Sequence, residues 1–148
     1  MKQVIRTEQA PAPFQGAPYN QAIVANGLVF VAGQLGLAPG ATEVVAGGFV
    51  FVVGQLGLDP ATGKIVEGGI GPQTERVFAN LKAILEAAGS SLDAVVKTTV
   101  FLTNLDDFAG MNEVYARHVG AAPPARSTVE VGRLPAGALV EIEAVALA

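Results

Sequence analysis

Two charged residues and a repeated Gly-Gln pair carry the chemistry available to this chain. Arg126 stands in Pro123-Pro124-Ala125-Arg126-Ser127-Thr128, where two prolines stiffen the entry to a β-rich run. A guanidinium on a rigid strand start suits two-point capture of a carboxylate; the plainer reading is a solvated surface arginine. Glu141 lies in Val140-Glu141-Ile142-Glu143-Ala144, and strand alternation puts Glu141 and Glu143 on one face, opposite Val140 and Ile142. That face continues with Val145 and Leu147, so it is not wholly directed at solvent. A carboxylate there either orients water as a general base or is simply solvated. Tyr19, next to Pro18 in a proline-rich loop, offers a phenol to a ligand or pins the loop.

The Gly-Gln pairs belong to a longer echo. Gly27-Leu28-Val29-Phe30-Val31-Ala32-Gly33-Gln34-Leu35-Gly36-Leu37 returns 21 residues later as Gly48-Phe49-Val50-Phe51-Val52-Val53-Gly54-Gln55-Leu56-Gly57-Leu58. Ile23-Val24-Ala25 likewise matches Val44-Val45-Ala46. Two copies are too few for a solenoid, which needs about three units to bury a core. The repeat therefore reads as duplicated β-hairpin units, about 22–42 and 43–63, inside one domain spanning 1–148. In the first unit Gln21 to Ala25 and Leu28 to Ala32 flank Asn26-Gly27, a strong hairpin signal. Glu43 to Ala46 and Phe49 to Val53 repeat this around Gly47-Gly48, and each unit ends in a Gly-Gln loop.

Other chemistries have little to work with. The absence of cysteine removes disulfides, thiolate nucleophiles and thiolate-bound zinc together. A single histidine, His118, cannot form a histidine metal site, and near a helix end it reads as a favourable C-terminal partner. Ser90 and Ser91 read as capping residues ahead of Leu92, not as nucleophiles. Net charge is −4 with no basic cluster, which argues against nucleic acid as a dedicated partner. The N-terminus lacks a signal-peptide apolar region, and no apolar run reaches the ~20 residues of a membrane span. The expectation is a soluble cytoplasmic protein with no membrane span and with neither a thiolate nor a histidine metal site.

The elements that must position these residues follow from periodicity. Pro72 to Ala88 carries apolar residues at Val77, Leu81, Ile84, Leu85 and Ala88 in helical spacing, with Gly89 as the stop. Val95 to Leu102 is a β-branched strand. Asn104 or Asp106 can cap a second amphipathic helix bearing Phe108, Met111, Val114, Tyr115 and His118 on or near one stripe. Ala125 to Val131 and Ala138 to Leu147 are closing strands split by Leu134-Pro135-Ala136-Gly137. Strands with two interposed helices predict an α+β domain with both helices on one face of a sheet.

Taken together, these segments resemble the RidA (YjgF/YER057c/UK114) family. The likeness runs through Ala17-Pro18-Tyr19-Asn20-Gln21, Val31-Ala32-Gly33-Gln34 and Val52-Val53-Gly54-Gln55. It continues in Val96-Lys97-Thr98-Thr99-Val100-Phe101-Leu102, Met111-Asn112-Glu113-Val114-Tyr115, the Arg126 segment and the Glu141 strand. The resemblance implies a chorismate-mutase-like α+β fold, here with an extra duplicated β-hairpin, assembled as a homotrimer with pockets between subunits. It implies a cofactor- and metal-free 2-iminoalkanoate deaminase, hydrolysing reactive imines to 2-keto acids and ammonia. By position, Arg126 would bind the substrate carboxylate, and Glu141 with the backbone carbonyl of Thr128 would hold the attacking water. Tyr19 and Asn112 would lie in or beside the pocket, closed by the backbone of Gly33 or Gly54. Active members commonly carry serine before the Gly-Gln pair, where this chain has Ala32 and Val53. That departure, with the repeat, supplies the alternative: a non-catalytic fold relative that binds small carboxylates or proteins. Ribonuclease activity, attached to some relatives, fits poorly with an acidic chain holding one histidine.

Overall fold

The structure is a computed structural model and describes residues 2–5, 22–25, 28–31 and 49–147. The strands are β1 (Lys2–Ile5), β2 (Ala22–Ala25), β3 (Leu28–Val31), β4 (Phe49–Leu56), β5 (Val95–Leu102), β6 (Ala125–Glu130) and β7 (Val140–Leu147). The helices are α1 (Ile70–Ala87) and α2 (Phe108–His118), with short 3-10 turns at Leu92–Ala94, Leu105–Asp107 and Pro135–Gly137. Among the described residues the strands form a sheet in the order β1-β2-β3-β4-β7-β5-β6. The fold is α+β, as expected.

β5 keeps the bounds read from its β-branched run, and its burial alternates from Thr98 to Leu102. Thr98, Val100 and Leu102 face the helices together with Val140, Ile142, Ala144 and Ala146 of β7, all of them buried. α1 lays Val77, Phe78, Leu81, Ile84 and Leu85 against that face, and α2 adds Met111 and Tyr115. Both helices therefore cover one side of the sheet. Removing a ring such as Phe78, which is 2% exposed, would cost about 3–5 kcal/mol.

The ends of α1 show what stops and what anchors it. Gly89 takes φ 76. Its N–H donates to the carbonyl of Glu86 at 3.0 Å, while Ser90 N–H donates to that of Leu85 at 2.8 Å. This is a Schellman closure, and a left-handed residue makes it cheap only as glycine. At the other end the helix begins two residues before Pro72, after Gly69. Buried Asn80 donates to the carbonyls of Leu56 and Leu58 at 3.1 and 3.0 Å, tying α1 to the exit of β4. Gln73 accepts from Leu139 N–H at 2.8 Å, tying α1 to the entry of β7. Ser91 stands at the start of its 3-10 turn without a side-chain cap. Ser90 instead donates its hydroxyl to the Leu147 carbonyl. The capping role expected of these serines is not what they do, because the end of β7 lies within reach.

The strands of the two echoed segments lie side by side. β3 runs parallel to β4 with Leu28 opposite Phe49, Val29 opposite Val50 and Phe30 opposite Phe51. Residues that match in the repeat thus face one another across the pair. β2 and β3 pair antiparallel, as the Asn26-Gly27 signal requires. β4, from the second copy, takes the place beside β7. The strand expected at Glu43 to Ala46, and with it the second hairpin, lies outside the described residues, as do Tyr19, Ala32 and Gly33.

Candidate active site

Arg126 sits near the start of β6, in register with Thr98 of β5, so both side chains share the helix-covered face. Its Nη1 donates to Oδ1 of Asn112 on α2 at 2.8 Å. The guanidinium carbon lies 4.5 Å from the Tyr115 ring centre and 5.4 Å from that of Phe108. Cation–π contact of this kind contributes about 0.5–1 kcal/mol at exposed sites and fixes the plane of the guanidinium. Tyr115 is itself held: its hydroxyl is 2.6 Å from Thr98 Oγ1. Burial pushes the Tyr115 phenol above its ordinary pKa, against the opposing pull of the Thr98 bond and the Arg126 charge. Among the described residues no carboxylate pairs with Arg126.

An open cavity of about 430 Å³ lies against this cluster, lined by Asn112, Tyr115, Ala116, Val119, Gly120, Pro123, Pro124 and Arg126. Arg126 supplies the charge in that lining, while Ala116, Val119 and the prolines make the walls apolar. Such a pocket can take a small anion with an apolar tail. The stripe expected on α2 is only partly core. Met111, Val114 and Tyr115 are buried, whereas Phe108 is 39% exposed and serves as a ring beside Arg126.

Glu141 lies elsewhere. It pairs with Phe101 of β5 and Leu56 of β4, on the face turned away from the helices. Burial, then the neighbouring charge of Glu143, raises its carboxyl above the ordinary range. Gly54 makes room for it. A Cβ on Gly54 would stand 1.7 Å from Glu141 Oε1, and a register shift between Val52 and Gln55 brings that glycine against the carboxylate. The expected Gly-Gln loop is therefore corrected for Gly54: the pair belongs to strand β4, at a bulge that re-aims the backbone. Gly57, not singled out in the sequence, has a packing role, since a Cβ there would meet Gln73 of α1 at 2.9 Å.

Within one chain the expected pair does not meet. β5 separates β6 from β7, about 10 Å of sheet, and Arg126 and Glu141 occupy opposite faces. Thr128 pairs with Val100, on the Arg126 face. Its hydroxyl is buried without a hydrogen-bond partner. The single-chain geometry thus joins Arg126 to Asn112 and Glu141 to Gly54, as two separate clusters. Tyr19 and Gly33 lie outside the described residues.

His118 departs from expectation in a different way. Its Nε2 lies 2.6 Å from Glu75 Oε2 on α1, and its ring stacks on Phe78 at 4.6 Å and 5°. It is a cross-helix partner, not merely a cation at a helix end. Sequence spacing carried one usable signal for the Arg126 platform: Tyr115 falls three residues after Asn112, hence on a neighbouring helical position. Among the described residues no group of three or more His, Cys, Asp or Glu is gathered as a metal site requires. No helix among them is long and apolar enough to cross a membrane.

Comparison with known proteins agrees with this architecture. A family profile described as Endoribonuclease L-PSP matches residues 38–148. A RutC family protein of Pyrococcus horikoshii is 49% identical over 146 residues, covering 99% of this chain and 98% of the relative. The chloroplastic Reactive Intermediate Deaminase A of Arabidopsis thaliana is 43% identical over 145 residues, covering 98% of this chain and 65% of that protein. The crystal structure of E. coli TdcF with bound serine superposes with a TM-score of 0.77 at 35% identity, covering 99% of this chain and 98% of that one.

Proposed function

The chain belongs to the RidA/YjgF/UK114 family, and on that footing we propose that it is a 2-iminoalkanoate deaminase. It hydrolyses short 2-imino acids, 2-iminopropanoate and 2-iminobutanoate, to 2-keto acids and ammonia. The observation that carries the reading is Arg126: a guanidinium oriented by Asn112, backed by two rings and lining an apolar-walled cavity. A carboxylate fits its remaining N–H groups, and the walls suit an alkyl side chain. The serine held by the relative TdcF has the same head group, a carboxylate beside a nitrogen-bearing carbon.

Water attacks the imine carbon, forming a C–O bond as one of its protons passes to Glu141, which returns it to the imine nitrogen. The carbinolamine then collapses: its hydroxyl proton passes through Glu141 to the amino nitrogen, the C–N bond breaks, ammonia leaves, and the keto group forms. A carboxyl raised by burial is a stronger base than an ordinary carboxylate and is suited to accept and return that proton. The imine is already electrophilic, so holding it beside an oriented water supplies most of what is needed.

Arg126 and Glu141 lie on opposite faces of one sheet, so a complete site takes Arg126 with Asn112 from one copy and Glu141 with Gly54 from the next. A homotrimer provides such contacts. Phe49, Val96, Val129 and Leu147, each about 40–50% exposed, give the sheet apolar surface that a second copy can cover. The hydroxyl of Thr128, buried without a partner, lies on the Arg126 side of that junction.

The test is to generate 2-aminoacrylate in situ, let it tautomerise to 2-iminopropanoate, and follow pyruvate release above the spontaneous rate. Acceleration by the wild-type chain, lost in Arg126→Ala, is the expected result. Carboxylate binding without acceleration would replace this reading with that of a non-catalytic binding module.

A further inference from the structure

We propose that the Glu75–His118 pair, outside the pocket lining, is a positioning device for Arg126 that acts through the rings of Phe78 and Tyr115. The inference rests on the reading of Arg126 as the carboxylate anchor.

The contacts form an unbroken series. Glu75 of α1 meets His118 Nε2 with one carboxylate oxygen at 2.6 Å. Its other oxygen accepts from Arg117 Nη2 at 2.5 Å, so the carboxylate cannot swing without losing a partner. The His118 ring, oriented by that bond, lies parallel to Phe78 at 4.6 Å. Phe78 meets Tyr115 edge-on, with centres 5.3 Å apart and planes at 80°. Tyr115 is pinned at its hydroxyl by Thr98 and presents its face to the guanidinium at 4.5 Å. Each ring therefore restricts the tilt of the next, and the last is the platform for Arg126.

A histidine that served only the helix dipole would need neither the carboxylate on α1 nor a parallel stack on a buried ring. Those two contacts fix ring orientation, which a charge alone does not need. Without the His118 stack, Phe78 gains freedom about its ring axis and Tyr115 loses its edge support. Asn112 still holds Nη1, so the anchor weakens without disappearing. The effect belongs in carboxylate affinity, not in the hydrolytic step at Glu141.

The charged groups facing His118 are Glu75 from α1 and, on α2 itself, Arg117, which also reaches Glu113 at 3.5 Å. Asp93, in the turn after α1, comes near Gly120 just beyond the end of α2. The hydrogen bond from His118, then that from Arg117, holds the Glu75 carboxyl below its ordinary pKa. The pair is therefore intact above the normal carboxylate range and is lost as pH falls through the lowered value.

The test uses the full chain and measures the Kd for 2-oxobutanoate by calorimetry, with kcat for imine hydrolysis beside it. His118→Ala and Glu75→Ala should each weaken binding about two- to fivefold, the scale of a disturbed cation–π platform, with kcat nearly unchanged. His118→Phe, which keeps the stack and drops the bond, should recover most of the affinity. Arg117→Ala removes the other Glu75 contact but leaves the His118 bond and every ring in place, so it should weaken binding by less than about twofold. In the absence of ligand, NMR signals of the Tyr115 ring and Arg126 Nε–H should move in His118→Ala. Unchanged Kd and unmoved signals in folded His118→Ala would overturn the proposal, as would equal weakening by Arg117→Ala. Equal 2-oxobutanoate binding by wild type and Arg126→Ala would instead overturn the anchor reading, while the Tyr115 signal still decides the ring contacts.

Discussion

The two faces of the sheet around β5 are built to opposite rules. On the helix side, Arg126 is held between an amide, two rings and an open cavity. On the other side, Glu141 is half-buried beside Glu143 in space left by a glycine, and its charge is disfavoured. The first arrangement suits permanent binding of an anion; the second suits a group that gains and loses a proton. On the proposed reading, binding and proton transfer fall to separate surfaces, which a neighbouring copy would bring together.

Removing Arg126 and Glu141 in separate variants and then mixing the variants tests this separation most severely. Glu141→Gln should lower kcat by about a hundredfold or more, the scale of a lost general base, with KM little changed. Arg126→Ala should act mainly through KM. Subunits of the two variants, unfolded together and reassembled, should regain about a quarter of wild-type activity, because random cyclic assembly rebuilds about one intact junction in four. No recovery in mixed oligomers, measured by steady-state rate, would mean that both residues serve a site within a single chain. Glu141→Gln should also stabilise the fold at neutral pH. A carboxyl with a raised native pKa costs stability once ionised and recovers it as pH falls through that value.

The elements were more legible in the sequence than their meeting points. The β-branched run at Val95 to Leu102 and the stop at Gly89 follow from local chemistry, and both appear where local chemistry puts them. Alternation also correctly grouped Glu141 with Glu143. It could not say that Arg126 faces the other way, because the face of one strand relative to another depends on register across β5. Tyr115 and Phe108 read as a core stripe, since ring contact with a guanidinium leaves no pattern in a single helix. Gly54 read as part of a loop, since a bulge is defined by the strand opposite it.

Gly54→Ala tests whether the glycine serves the carboxylate half alone. The added methyl overlaps the present place of the Glu141 carboxylate, so that side chain must turn away or β4 must shift. Overpacking of this kind costs about 1–3 kcal/mol, and kcat should fall by about tenfold or more as the water loses its base. Arg126 lies on the other face, so 2-oxobutanoate affinity should stay within about twofold of wild type. Loss of affinity equal to the loss of kcat would show that the two halves are not separable in this way.

The smallest effect expected is the most selective. Glu143 is the second cause of the raised Glu141 carboxyl, after burial. Glu143→Gln removes its charge while keeping its size, so the Glu141 pKa should drop but stay above the ordinary carboxylate value. Activity requires the ionised base, so the acidic limb of kcat against pH should move to lower pH in the variant. The plateau should remain, because burial and the Gly54 space are untouched. The affinity for 2-oxobutanoate should not follow, since Arg126 lies on the other face of the sheet. A limb that stays in place would assign the proton transfer to another group. A limb that moves together with binding would erase the division of labour between the two faces.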